Sequence, residues 1–120
     1  MRNTLNWFEL FVTELPRAQA FYEQVLATRL RAEAFNGEPH AIFSDDGLKG
    51  ALVQRAGRKP SAEGAVVYLN CNGTLDAALG RVEKAGGKIV MPKTDIGPPG
   101  FIAIVHDTEV NAVGLLSQRV

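Results

Sequence analysis

Two amphipathic stretches, each preceded by one alternating segment and followed by three more, constrain this chain more than any other feature. From Ala18, apolar residues recur at Phe21, Tyr22, Val25 and Leu26, while Arg17, Gln19, Glu23 and Gln24 fill the opposite side, as on an amphipathic helix. Pro16 suits a helix start, where a missing amide hydrogen is harmless. Half a chain later, Leu75, Ala78, Leu79 and Val82 repeat the pattern, and Gly86-Gly87 closes it. Ahead of the first helix, Leu5 to Thr13 places Phe8, Leu10 and Val12 opposite Trp7, Glu9 and Phe11, the period of a strand. Ahead of the second, Ala65 to Cys71 sets Val67, Leu69 and Cys71 against Val66, Tyr68 and Asn70.

Three strand-like pieces follow each helix. The first set is Leu30 to Phe35, ending at the hairpin turn Asn36-Gly37; His40 to Ser44, ending at Asp45-Asp46-Gly47; and Leu48 to Arg55. The second set is Lys88 to Met91, Phe101 to His106 and Val113 to Ser117. Between its members lie the irregular run Pro92 to Gly100 and the turn-forming run Asp107 to Asn111. The pattern predicts one α+β domain over residues 1–120, made of two βαβββ modules (1–56 and 65–120) joined by the polar connector 57–64. Each module has a sheet covered by its helix on one face and open on the other.

Composition removes several classes of function. Thirteen basic residues balance thirteen acidic ones, so the chain lacks the basic surface that phosphate binding needs, and nucleic acid is not expected as a partner. A single cysteine, Cys71, excludes an intrachain disulfide and a Cys-rich zinc site, and reads as a small buried hydrophobe. No apolar run approaches the roughly twenty residues of a membrane span. The start Met1-Arg2-Asn3-Thr4 lacks the apolar core of a signal peptide. These features predict a cytoplasmic protein with no membrane partner.

The run Trp7-Phe8-Glu9-Leu10-Phe11-Val12, followed by Arg17-Ala18 and Phe21-Tyr22, resembles the opening of a vicinal oxygen chelate protein. Ala85-Gly86-Gly87-Lys88, Gly100-Phe101, Asp107, Asn111 and Gly114-Leu115 continue the resemblance through the second half. That superfamily includes glyoxalase I, bleomycin-resistance proteins, fosfomycin-resistance enzymes and extradiol dioxygenases. The resemblance implies curved mixed sheets forming a cupped cavity between modules, commonly completed in a homodimer. Enzymatic members place four metal ligands, His or carboxylate, on the first and last strands of the modules. The matching positions here are Trp7, Gly50, Val66 and Gly114, and none offers a donor that a metal accepts. A shift of one residue gives Phe8, Ala51, Val67 and Leu115, which do no better; a shift of two brings in only Glu9. No metal and no other cofactor is therefore expected.

A small-molecule ligand is the expected partner, bound in the cavity between the modules. Trp7, Glu9 and Phe11 share one strand face, which gives a carboxylate among aromatic rings, suited to a planar or partly cationic ligand. Tyr68 and Asn70 are their counterparts in the second module and supply the few polar groups that orient a ligand. His106 is expected at the cavity rim. His40 shares a face with Ile42, and a metal set of His40, His106 and Glu9 can be drawn, although no spacing requires it. Pro92 to Gly100 has the composition of a lid or of a plain surface crossover. The alternative is a lyase, isomerase or dioxygenase-type enzyme of the same superfamily, with a relocated metal or with Glu9 as a metal-free base.

Overall fold

The computed structural model describes residues 4–43 and 49–119. The turn expected at Asp45-Asp46-Gly47 lies outside the described residues, as does the start Met1 to Asn3. The elements run β1 (Trp7–Phe11), α1 (Leu15–Leu26), β2 (Arg31–Phe35), β3 (Glu38–Ile42), β4 (Lys49–Val53), β5 (Tyr68–Asn70), α2 (Leu75–Val82), β6 (Lys88–Asp95), β7 (Phe101–His106) and β8 (Ala112–Ser117). One sheet has the order β1-β4-β3-β2 and the other β5-β8-β7-β6. In each sheet the first and last strands of a module pair in parallel, and the other pairings are antiparallel. This is the α+β architecture of two βαβββ modules that the helix and strand periods predict.

The irregular run expected from Pro92 is shorter than the sequence suggests, because β6 continues through Pro92 to Asp95. The proline lies where the pairing shifts register, between Met91 opposite Ile104 and Thr94 opposite Ile102. A residue without an amide hydrogen is tolerated at such an irregularity. What remains is a turn: Ile96 N–H donates to the Gly100 carbonyl at 2.9 Å and Gly100 N–H to the Gly97 carbonyl at 2.9 Å. Lys93 and Arg119 both lie over the Phe101 ring beside it, at 4.8 and 4.6 Å from its centre.

The helix-side faces of both sheets converge on one core. Val12, Ala18, Phe21, Tyr22, Val25 and Leu52 of the first module pack with Cys71, Ala78, Val82, Val105, Val113 and Leu115 of the second. Full burial of a side chain such as Phe21 contributes about 1.5–3 kcal/mol. Cys71 lies in this core, as its strand period indicates.

Polar groups also fasten the modules. Helix α1 has no side-chain cap of its own at Glu14 and no acidic residue in its first turn. The missing acceptor comes from the second module: Glu109 takes hydrogen bonds from Thr13 N–H (2.9 Å), Glu14 N–H (3.2 Å) and the Thr13 hydroxyl (2.7 Å). At the other end of α1, Arg81 of α2 donates to the Val25 carbonyl at 2.9 and 3.1 Å. An anion at the N-terminus and a cation at the C-terminus both complement the helix dipole.

Because the helix sides converge, the opposite sheet faces turn away from the shared core. Glu9 lies opposite Ala51 and His40 opposite Val53, which puts Glu9 and His40 on the outward face of the first sheet. Tyr68 lies opposite Gly114, which in turn faces Ile104, on the outward face of the second.

Candidate functional site

The outward face of the first sheet holds a pocket of about 540 Å³. Its walls are Trp7 and Glu9 from β1, Phe35 from β2, Glu38 and His40 from β3, and Arg55 just beyond β4, with Asn36 at the hairpin turn. All of these belong to the first module. Strand period explains the set: Glu9 and His40 flank β4 on the same side as Ala51 and Val53, and Arg55 continues that row.

Arg55 ties the pocket together. Its Nε and Nη2 donate to Glu38 at 3.0 and 2.7 Å, and its Nη1 donates to Glu9 Oε1 at 3.1 Å. The two carboxylates hold the guanidinium pKa above its ordinary value, chiefly through the hydrogen bonds to Glu38 and then Glu9. The Arg55 guanidinium likewise draws the Glu38 carboxyl below its usual range. The Trp7 indole N–H donates to Glu9 Oε2 at 3.2 Å, which fixes the ring beside the carboxylate.

His40 is the buried member, at 4 % exposure. Its Nδ1 is 2.9 Å from the Glu38 carbonyl, which can only accept, so Nδ1 carries hydrogen. In the neutral ring Nε2 then has the lone pair, and it stands 3.7 Å from Glu9 Oε2. Phe35 packs edge-on against the imidazole with ring centres 4.8 Å apart.

The second outward face carries a smaller recess of about 180 Å³, lined by Tyr68, Asn70, Asn72, Leu116 and Gln118 among others. The Tyr68 ring lies across Gly114, in space that a side chain there would claim. Asn70 Oδ1 accepts the Asn72 amide at 2.9 Å, so half of its carboxamide is used in a local turn.

The match of a family model decides the affiliation: the model for the Glyoxalase/Bleomycin resistance protein/Dioxygenase superfamily matches residues 4–114. The chain belongs to that superfamily. Solved structures agree at the level of fold. A glyoxalase/bleomycin resistance protein from Albidiferax ferrireducens superposes with a TM-score of 0.74 at 16% identity, over 97% of this chain and 100% of that one. A family enzyme from Burkholderia phytofirmans gives 0.73 at 11% identity, over 98% and 100%. In sequence, a putative glyoxylase, CFP32, of Mycobacterium bovis is 28% identical over 123 residues, 95% of this chain and 45% of that protein. The chain thus spans less than half the length of the curated relatives it matches.

Superfamily membership makes the metal question concrete. The register corrects one pairing of positions: Gly50 lies opposite Phe8 on the helix side, whereas Gly114 lies opposite Tyr68 on the outward side. The outward counterpart of Gly114 is Ala51, opposite Glu9. Of Glu9, Ala51, Tyr68 and Gly114, only Glu9 carries an imidazole or carboxylate, and its carboxylate already accepts from Arg55 and Trp7. No group of three or more His, Cys, Asp or Glu side chains among the described residues is placed to hold a metal ion. The described residues at these positions do not form a ligand set that fits the superfamily's metal.

Of the six residues singled out from sequence, Trp7 and Glu9 line the larger pocket, and Tyr68 and Asn70 line the smaller one. Phe11 lines neither pocket; it packs with Ile42, Ala51 and Val53 and carries Arg55 and Arg58 over its ring, each 5.6 Å from its centre. His106 sits between Lys88 and Ala112 on the second sheet, outside both pockets. The imagined set of His40, His106 and Glu9 is thereby divided between two modules. Phe35, Glu38 and Arg55 escaped the sequence reading. The signal was present: Arg55 is in phase with Ala51 and Val53, and Phe35 and Glu38 flank the Asn36-Gly37 turn, on the face that His40 shares.

Proposed function

We propose that this protein binds a small organic molecule, without a metal, against the outward face of its first module. The observation that carries the reading is the pocket itself. Trp7 and Phe35 stand 37% and 41% exposed beside a buried imidazole and an ordered Glu9–Arg55–Glu38 array. Two exposed aromatic rings beside fixed polar and charged groups can stack on a small ligand and orient it.

The pocket has one wall. A second copy of the chain supplies the other in this reading, setting the Tyr68, Asn70 and Leu116 surface of one protomer over the Trp7 surface of its partner. Support comes from the large apolar residues left exposed on both outward faces: Trp7, Phe35, Val66 and Tyr68. The cavity between modules is then formed by modules of different chains.

The test is a ligand screen by thermal shift on protein stripped with a chelator. A ligand that binds the native state raises Tm with concentration. The expected result is a hit whose shift disappears in Trp7→Ala and is unaffected by chelator. A hit that requires an added transition metal overturns the metal-free reading, and a screen with no hit overturns ligand binding. Sedimentation of the same samples is expected to give a dimer; binding by a chain that sediments as a monomer overturns the shared wall.

A further inference from the structure

The chemistry of the pocket points beyond the presence of a ligand to its kind. We infer that the ligand is an organic primary ammonium ion on a flat apolar body, with its N–H donors read jointly by His40 Nε2 and Glu9 Oε2. This rests on the reading that the pocket is a ligand site.

Charge gives the first reason. The walls carry two carboxylates, Glu9 and Glu38, against one guanidinium, Arg55. With the imidazole neutral, the described lining residues leave one negative charge to spare. Nearby, Arg31 pairs with Glu33 on β2, and Arg58 lies over Phe11, outside the lining.

Hydrogen-bond capacity gives the second reason. Glu38 spends both oxygens on Arg55. Glu9 keeps lone pairs on Oε2 beyond the one that Trp7 uses. His40 Nε2 has no hydrogen-bond partner among the described residues, although the ring is buried at 4 % exposure. No buried side-chain nitrogen or oxygen among the described residues lacks a partner, so Nε2 opens on the pocket, where a ligand can supply the donor in place of water.

Geometry gives the third. The two acceptors are 3.7 Å apart, too far to serve each other and close enough for one ammonium to donate to both through diverging N–H bonds. An alcohol has one donor and no charge. A quaternary ammonium has the charge and no donor. A carboxylate meets like charge from Glu9 and Glu38. Trp7 and Phe35 flank the acceptors with exposed rings, which favour a flat body and a nearby cation.

Four naphthalene compounds of one shape separate these cases: 2-naphthylmethylamine, its trimethylammonium analogue, 2-naphthylmethanol and 2-naphthoate. Trp7 is the only tryptophan, so its indole N–H gives a single NMR signal located in the pocket. The expected result is that the primary amine shifts this signal with a Kd about tenfold below that of the quaternary analogue, the effect of one charge-assisted hydrogen bond. Alcohol and carboxylate are weaker still. Glu9→Gln is expected to abolish the preference. His40→Asn keeps the donor to the Glu38 carbonyl and deletes Nε2, whereas His40→Gln carries an amide out to the Nε2 position. The preference is expected to fall in the first and persist in the second, which a purely structural histidine would not produce. Equal or tighter binding of the quaternary analogue, the alcohol or the carboxylate overturns the ammonium assignment and leaves the ligand site standing. Silence of Trp7 toward all four overturns the assignment alone if the thermal-shift screen yields a ligand, and overturns both if it does not.

Discussion

Asp107→Ala is expected to destabilise the protein by about 3–5 kcal/mol, through donors left unsatisfied inside the core. Asp107 is buried and accepts four hydrogen bonds. Oδ1 takes the backbone amides of Glu109 and Asn111 at 2.8 and 2.9 Å. Oδ2 takes the Tyr22 hydroxyl at 2.5 Å and the Asn111 side-chain amide at 3.2 Å. Tyr22 belongs to α1, so the carboxylate joins the modules at the point where the β7–β8 turn meets the helix. Asn111 extends the joint, donating to the Phe11 carbonyl at 2.9 Å and accepting Ser61 N–H at 2.8 Å. Burial, with the Asp107 charge next in weight, pushes the Tyr22 phenol well above its ordinary pKa, which keeps it a donor. Tyr22→Phe removes one of the four bonds and keeps the ring, so it is expected to cost only about 1–2 kcal/mol. Urea denaturation of the two variants checks the ordering. An Asp107→Ala protein within about 1 kcal/mol of the parent would sink the idea that this turn clamps the modules.

Acid is expected to remove about 3 kcal/mol of stability through Glu109 alone. Burial pushes this carboxyl up, but the Arg17 guanidinium, the Thr13 hydroxyl and the backbone amides of Thr13 and Glu14 outweigh it and hold the pKa at about 2, against 4.5 for the free group. The unfolded chain therefore takes up this proton before the folded one. The stabilisation is fully present above pH 4.5 and is lost as pH falls from there through about 2. Arg17 pairs with Glu109 Oε2 at 2.8 Å; the Glu109 side chain is fully buried while Arg17 is half exposed, so the backbone amides and Thr13 hydroxyl are the part that solvent screens least. Denaturation midpoints between pH 7 and pH 2 are expected to show a steep acid limb that Glu109→Gln largely flattens, from a lower starting stability. The carboxyl groups of Glu23, Glu38 and Asp95 are also held below their ordinary values, and they leave a shallow residual slope. An unchanged acid limb in Glu109→Gln would refute the assignment.

These two results bear on function because the same clamp sets the direction of the outward faces. Glu109 and Asp107 on one turn, and Arg81 on α2, bind both ends and the middle of α1. With the helix sides locked together, Trp7 and Tyr68 face away from the common core, and the two pockets lie on separate outward faces.

Much of this was legible in the sequence, and the reason differs from residue to residue. The i, i+3, i+4 spacing from Ala18 to Val25 placed α1, since a helix must bury one stripe. Alternation placed Trp7 and Glu9 on the face opposite Phe8 and Leu10, because successive strand side chains point to opposite sides. The role of Glu109 was not legible. It reads as one more charged residue in a turn, and nothing nearby in sequence says that it caps a helix ninety-odd positions earlier. Arg55 was overlooked for a related reason: its partners, Glu38 and Glu9, lie 17 and 46 residues away.

The sequence by itself determined what periodicity can encode: two βαβββ modules, the buried stripe of each helix, and which strand faces carry the chemistry. It also showed that Trp7, Gly50, Val66 and Gly114, the positions matched to the superfamily's ligands, carry no imidazole or carboxylate. The tertiary structure decided which of those faces meet. Period fixes a side chain's direction relative to its own strand, whereas the meeting of distant elements depends on ion pairs and hydrogen bonds between residues far apart in the chain. Those contacts turned two pockets outward and gathered His40, Glu9 and Arg55 into one of them.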